Sequence, residues 1–223
     1  MGRAKEIILK VIPSKLANEF VKKHHYSNNY VRNSSLHFGA FLDGKLHGVL
    51  QYGSSMTKSK MINLVEGTGW NEMIELNRMA FDDYLPKYSE SRCIAISIKL
   101  IKKNAPHIKW IVSFADGTMC GDGTIYRASG FVLTQIKKNT GIYLDLENGK
   151  TFCKGYGEQY RINKGITRKK TEKLLGSQFR YIYLIDKTCR ITVPILPFSK
   201  IDEMGAGMYK GKKITLAERN MRI

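Results

Sequence analysis

The stretch "SFADGTMCGDGTIYRASGF" (113–131) holds an acid, Asp116, at the end of an apolar run, with Tyr126 and Arg127 following a glycine-bearing loop. A carboxylate at the carboxyl end of a central strand stands where open α/β sheets place ligands, and it can orient or accept a proton. Its plainer role is an Asx turn. The glycines miss the G-x-G-x-x-G spacing, and the loop lacks the terminal Glu of an EF-hand. Arg78 interrupts the apolar strand "MIELNRMAF". A guanidinium there needs an anion, either a structural salt bridge, with Asp116 as the candidate, or a bound phosphate or carboxylate that fits its planar fork. His25 and Tyr26 open a polar loop in "HHYSNN". A histidine titrates near neutral pH and serves as base or metal ligand.

Elements must position these groups. A short strand at 6–12 ends at Pro13, and Ser14 can cap a helix to His24 with Leu16, Phe20 and Val21 on its apolar face. Two apolar runs flank Asp43-Gly44 over 36–53, the signature of a type I′ hairpin. Residues 57–70 read as a loop and 73–81 as a strand. Ser89 can cap a helix over 89–105 that carries Ile94, Ile98 and Ile101 on one stripe and Lys102 and Lys103 at its negative end. The run 108–115 has the pattern of a strand buried on both faces, and the intervening helix makes it parallel to 73–81. A short helix at 124–129 ends at Gly130. Two strands then flank a turn at Asn139–Gly141, a short basic helix falls at 168–175, and a further strand at 180–186.

The chain has 223 residues and a net charge of +18, from 37 Lys+Arg against 19 Asp+Glu. That balance points to a polyanion, with nucleic acid first. Residues 1–131 hold 18 basic and 11 acidic groups and residues 132–223 hold 19 and 8, so phosphate contact is expected more in the C-terminal part. No apolar run spans a membrane. The start of the chain reads as neither signal peptide nor myristoylation site, so a cytoplasmic setting is expected. Cys93, Cys120, Cys153 and Cys189 form no CxxC pair and read as free thiols.

The segments "HHYSNN", "HFGAFLDGKLHGVLQYG", "GTGWNEMIELNRMAFDDYLPKYSESR" and "IKWIVSFADGTMCGDGTIYRASGFV" resemble the phage Mom-type DNA modification proteins, a divergent branch of the GCN5-related N-acetyltransferase (GNAT) superfamily. The likeness runs from about His24 to Lys138 and continues more weakly through "YIYLID" and "PILPFSKIDEMG". It implies an α/β, GNAT-like fold whose mixed, mostly antiparallel central sheet is flanked by helices. Residues 1–147 would be the catalytic domain and 148–223 a basic extension packed on it and contacting DNA.

The resemblance also implies a reaction: conversion of the N6 amine of adenine in double-stranded DNA to its carbamoylmethyl derivative, which protects phage DNA from host restriction in the host cytoplasm. The alternative is a conventional acetyl-coenzyme A-dependent N-acetyltransferase on a protein or small amine. The core site would be Arg78, Ser91, Asp116 and Tyr126, with His25 and Tyr26 closing over an extruded base. Ser89, Ser91 and Arg92, at a helix start suited to phosphate, would meet the donor. Arg127, Lys137, Lys138, Arg168, Lys169 and Lys170 would contact DNA. The glycine-containing phosphate loop of GNATs is replaced by "KYSESR", which leaves the group donor open, acetyl-coenzyme A included. A metal ion such as iron is compatible with the resemblance, but no spacing names its ligands.

Overall fold

A computed structural model of the protein describes residues 3–119, 121–139, 141–149, 151–153, 165, 171–204, 208–209 and 212–213. After a 3-10 turn at Arg3–Glu6 come β1 (Ile8–Val11), α1 (Ser14–His24), β2 (Ser34–Leu42), β3 (Lys45–Gly53), α2 (Lys58–Met61), β4 (Val65–Glu66), β5 (Met73–Phe81), α3 (Ser89–Asn104) and β6 (Trp110–Asp116). There follow α4 (Thr124–Ala128), β7 (Val132–Lys138), β8 (Ile142–Asp145), β9 (Thr151–Cys153), β10 (Thr171–Lys173), β11 (Ser177–Leu184), β12 (Arg190–Ile191), α5 (Ser199–Glu203), β13 (Met208–Tyr209) and β14 (Lys212–Lys213). A seven-stranded sheet has the order β1-β2-β3-β5-β6-β11-β7. The β1–β2, β2–β3 and β3–β5 pairs are antiparallel and β5–β6 is parallel, as the crossover by α3 requires. The fold is therefore the mixed, mostly antiparallel α/β sheet with flanking helices expected from the sequence.

The chain forms two compact units. The first comprises Met1–Phe114, Thr124–Thr134 and Arg180–Ile195; the second comprises Ala115–Gly123, Gln135–Phe179 and Leu196–Ile223. Tyr181 and Ile182 of β11 are fully buried, which draws Arg180–Ile195 into the first unit.

In the first unit the β2–β3 turn has Asp43 at φ 51 and Gly44 at φ 75, the two positive values that a type I′ turn demands. Along β3 successive side chains alternate faces. Gln51 meets Asn18 of α1, whereas the Tyr52 hydroxyl lies 2.7 Å from Ser97 Oγ of α3, so the two helices cover opposite faces. Ala17 and Val21 of α1 pack with Ile12, Val49 and Ala80. A second core gathers Met61, Leu64, Val65, Met73, Trp110, Val112 and Ile182. The predicted α3 stripe of Ile94, Ile98 and Ile101 is buried.

Several local expectations are corrected. Pro13, not a serine, occupies the N-cap of α1, which puts Ser14 inside its first turn; the buried stripe is Ala17 and Val21, and Leu16 is exposed. The N-cap of α3 is Tyr88, at φ 70, and Ser89 Oγ donates instead to the Pro86 carbonyl. Residues 57–70 hold α2, a 3-10 turn and β4, because Met61, Leu64 and Val65 find the core around Trp110. The two strands expected on either side of Asn139–Gly141 are present, and they join different sheets, β7 the large one and β8 a three-stranded sheet of order β10-β8-β9. Thr171–Lys173 is a strand paired with β8 rather than part of a basic helix.

Candidate active site

The site in the first unit grows from an irregularity in β5. The β3–β5 register runs Gly53↔Glu75 and Tyr52↔Leu76, then Gln51↔Arg78, leaving Asn77 as an extra residue. Such a bulge reverses the alternation of everything beyond it. A regular strand would turn Arg78 to the face of Leu76; the bulge turns it to the α1 face, opposite Gln51. Asn77 secures the bulge: its Oδ1 accepts from Ser34 Oγ at 3.2 Å and its Nδ2 donates to the Ser54 carbonyl at 3.5 Å. Asn33 Nδ2 donates to the same carbonyl. Residue 53 must be glycine, since a Cβ there would lie 2.0 Å from the Asn33 carbonyl oxygen.

On that face Arg78 meets the loop after α1. Its Nε donates to the Asn29 carbonyl at 3.5 Å and its Nη1 to the Asn77 carbonyl at 3.0 Å. Among the described residues it forms no ion pair, so the salt-bridge reading of Arg78 is not what the structure contains. His25 is buried, and its Nδ1 accepts the Ser27 backbone N–H at 3.2 Å. Because a backbone N–H can only donate, the neutral ring carries its proton on Nε2. Burial, with the Arg78 charge adding to it, pushes the imidazole down to about 3. His25 is thus a neutral N–H donor at physiological pH. Tyr26 lies against it, ring centroids 4.2 Å apart, and is exposed.

Glu75 is the residue the sequence reading missed. Burial raises its carboxyl above the usual range, against the opposing pull of hydrogen bonds from Ser55 and Asn77 and of the Arg78 charge. The available signal was three polar residues, Glu75, Asn77 and Arg78, in a strand otherwise apolar from Met73 to Phe81. Arg78, His25 and Glu75 therefore converge, joined by Ser27, Asn29, Asn77 and Ser55.

The other candidates stand elsewhere. Ser91 Oγ donates to the Tyr88 carbonyl on the first turn of α3, and Arg92 Nη2 reaches the Lys5 carbonyl. Tyr126 is buried between Phe131 and Tyr181, ring centroids at 5.5 and 5.3 Å. Arg127 is exposed on α4. In the second unit, Asp116 Oδ1 accepts from the Thr118 N–H at 3.0 Å and from Asn139 Nδ2 at 3.3 Å, so the Asx turn is real and the carboxylate is oriented. Gly117 approaches too closely for any Cβ, which would fall 2.8 Å from the Ser177 carbonyl. Lys137 and Lys138 are exposed on β7. Arg168, Lys169 and Lys170 lie outside the described residues.

Among the described residues no three His, Cys, Asp or Glu are grouped to hold a metal ion. No helix among them is long and apolar enough to cross a membrane. A groove of about 300 Å³ is lined by Leu16, Glu19, Phe20, Lys23, His24, Leu46 and Asp82. It contains none of the converging groups, and chemistry belongs where polar groups converge.

Two solved structures are alike in fold at low identity: the ribosomal-protein-S18-alanine N-acetyltransferase of Escherichia coli (10% identical, 81% of this chain and 94% of that chain covered, TM-score 0.47) and the spermidine/spermine N-acetyltransferase SpeG of Vibrio cholerae (9%, 84% and 97%, TM-score 0.48). At these TM-scores they support no functional conclusion. The methylcarbamoylase Mom of Escherichia phage Mu is 34% identical over 194 residues, covering 84% of this chain and 79% of that protein. A sequence profile of the Mom protein family matches residues 6–200. With that span, the chain belongs to the Mom protein family.

Proposed function

We propose that this protein is a DNA-modifying transferase that places a carbamoylmethyl group on the N6 amine of adenine in duplex DNA. Family membership over residues 6–200, with a 34% identical methylcarbamoylase as relative, is the observation that carries the reading. The net charge of +18 suits a polyanionic substrate.

The chemistry sets the roles. The product is joined through a CH2 carbon, so the amine nitrogen must attack that carbon as the bond to a leaving group breaks, and the nitrogen must then shed a proton. The adenine lone pair is conjugated into the ring, so the electrophile has to be held in line. Arg78, which forms no ion pair among the described residues, holds the donor's carbonyl or anionic group with its fork. His25 offers its Nε2–H as a fixed donor, and exposed Tyr26 stacks on the turned-out base. Asp116, in the second unit, is a carboxylate oriented by Thr118 and Asn139 and able to accept a proton. Glu75 tunes Arg78 through its own protonation. Ser89, Ser91 and Arg92 receive the anionic part of the donor at the α3 start, and Tyr126 stiffens the wall behind it. Arg127, Lys137 and Lys138 contact phosphate.

Nucleoside mass spectrometry of plasmid DNA from cells expressing the protein tests this. A carbamoylmethyl-deoxyadenosine peak is expected. Arg78→Lys keeps the charge but loses the fork, and should lower the peak by about tenfold or more. Soluble wild-type protein with unmodified plasmid would sink the reading, and an acetylated protein or small amine instead would move the protein to the acetyltransferase class.

A further inference from the structure

The segment joining β3 to β5 starts inside the candidate site and ends in an exposed apolar feature. Ser54 accepts from Asn77 at 3.5 Å, and Ser55, the next residue, is buried. The next residue, Met56, is 85% exposed, and Trp70, at the far end of the segment, is 48% exposed. Lys58 ties the two ends together: its Nζ stands 4.6 Å from the Trp70 ring centroid and 3.4 Å from Asn71 Oδ1. The segment is anchored below. Met61, Leu64 and Val65 are buried, and Thr68 Oγ1 accepts from Trp110 Nε1 at 3.2 Å while donating to the Val65 carbonyl at 2.8 Å. Met56 and Trp70 are therefore displayed on a fixed base.

The charges around them are one-sided. The segment's two acids are already paired, Glu66 with Arg190 and Glu72 with Lys109 at 2.8 Å. Neither Lys58 nor Lys60 has a carboxylate partner among the described residues, and Lys60 is exposed. An exposed thioether and indole, with Lys58 against the indole and the exposed Lys60 in the same segment, suit one surface well, a gap in a base stack flanked by phosphates.

Resting on the adenine-modification reading, we propose that Met56 and Trp70 are the wedge that fills the space left in the duplex when the target adenine is turned out, with Lys60 on a flanking phosphate. Lys58 holds the Trp70 ring from behind. Met56 follows Ser54 and Ser55 directly, so the wedge begins next to the segment that Asn77 of the bulge holds.

The test uses the full chain and two duplexes, one intact and one carrying an abasic site that supplies the gap ready-made. Trp110 is fully buried, so DNA-induced quenching of tryptophan emission reports Trp70. Wild type should bind the abasic duplex about tenfold more tightly than the intact one, with quenching. Met56→Ala and Trp70→Ala should lose that preference while binding the intact duplex within about threefold of wild type, since phosphate contacts dominate there. In cells, Met56→Ala should cut plasmid adenine modification by about tenfold at unchanged protein level and thermal midpoint. Equal affinity of wild type for both duplexes, or variants that keep the preference and the modification, would overturn the wedge. Quenching by anionic vesicles but not by DNA would also overturn it, assigning the patch to a lipid surface. Unmodified wild-type plasmid with an intact abasic preference would instead strike the adenine reading alone.

Discussion

His25 illustrates how one residue's protonation is set by what surrounds it. In an unfolded chain its imidazole takes a proton as pH falls through the ordinary histidine value; in the fold, burial and Arg78 hold it down to about 3. The folded state therefore binds fewer protons across that window, and stability is lost as pH falls through it. From the ordinary value down to pH 5 the loss is about 2 kcal/mol. Denaturant midpoints at pH 7 and pH 5 should show this drop, and His25→Gln should flatten it. Glu75 has the opposite sign. Its raised carboxyl favours the fold at low pH, and that contribution fades as pH rises through the folded value, so Glu75→Gln should help stability most above it.

The bulge is the element on which the site depends. It exists because Asn77 and Asn33 bond the Ser54 carbonyl and because residue 53 has no Cβ to strike the Asn33 carbonyl. Gly53→Ala must displace backbone rather than a flexible side chain, so a loss of about 2 kcal/mol or more is expected. Gly44→Ala is the control. Its Cβ meets nothing, and only the φ of 75 is strained, so the cost should be about 1 kcal/mol. Urea titrations compare the two. If Gly53→Ala were the milder change, the close approach would not be a constraint, and the aim of Arg78 would need another cause.

Charge acts over the whole molecule. Each phosphate neutralised contributes roughly 0.9 to the slope of log affinity against log salt. Lys137 and Lys138 are exposed together on β7, in the more basic part of the chain. Replacing both with Gln should lower the slope by about 2 for any duplex sequence, while adenine modification at low salt persists. Anisotropy titrations over a salt series measure this. An unchanged slope would place the phosphate contacts elsewhere on the protein.

Local physics was legible without coordinates. Asp43-Gly44 dictated the hairpin because two consecutive positive φ values leave few residue choices, and the apolar run before Asp116 dictated a buried strand because only the small Ser113 breaks it from Trp110 to Ala115. The isoleucine stripe of α3 and the parallel crossover followed in the same way. Arg78, His25 and Asp116 were visible as residues out of keeping with their surroundings. Their relations were not. Alternation along 73–81 assumes a regular strand, and one extra residue at Asn77 reverses the face of Arg78. The caps of α1 and α3 fell to Pro13 and Tyr88, because backbone geometry, not serine's preference, decided them. Glu75 looked like an ordinary strand acid until Ser55, Asn77 and Arg78 closed around it. The sequence alone determined the elements and the odd residues in them; only the tertiary structure decided which face each odd residue meets, because bulges, burial and cross-strand partners are set by segments far apart in the chain.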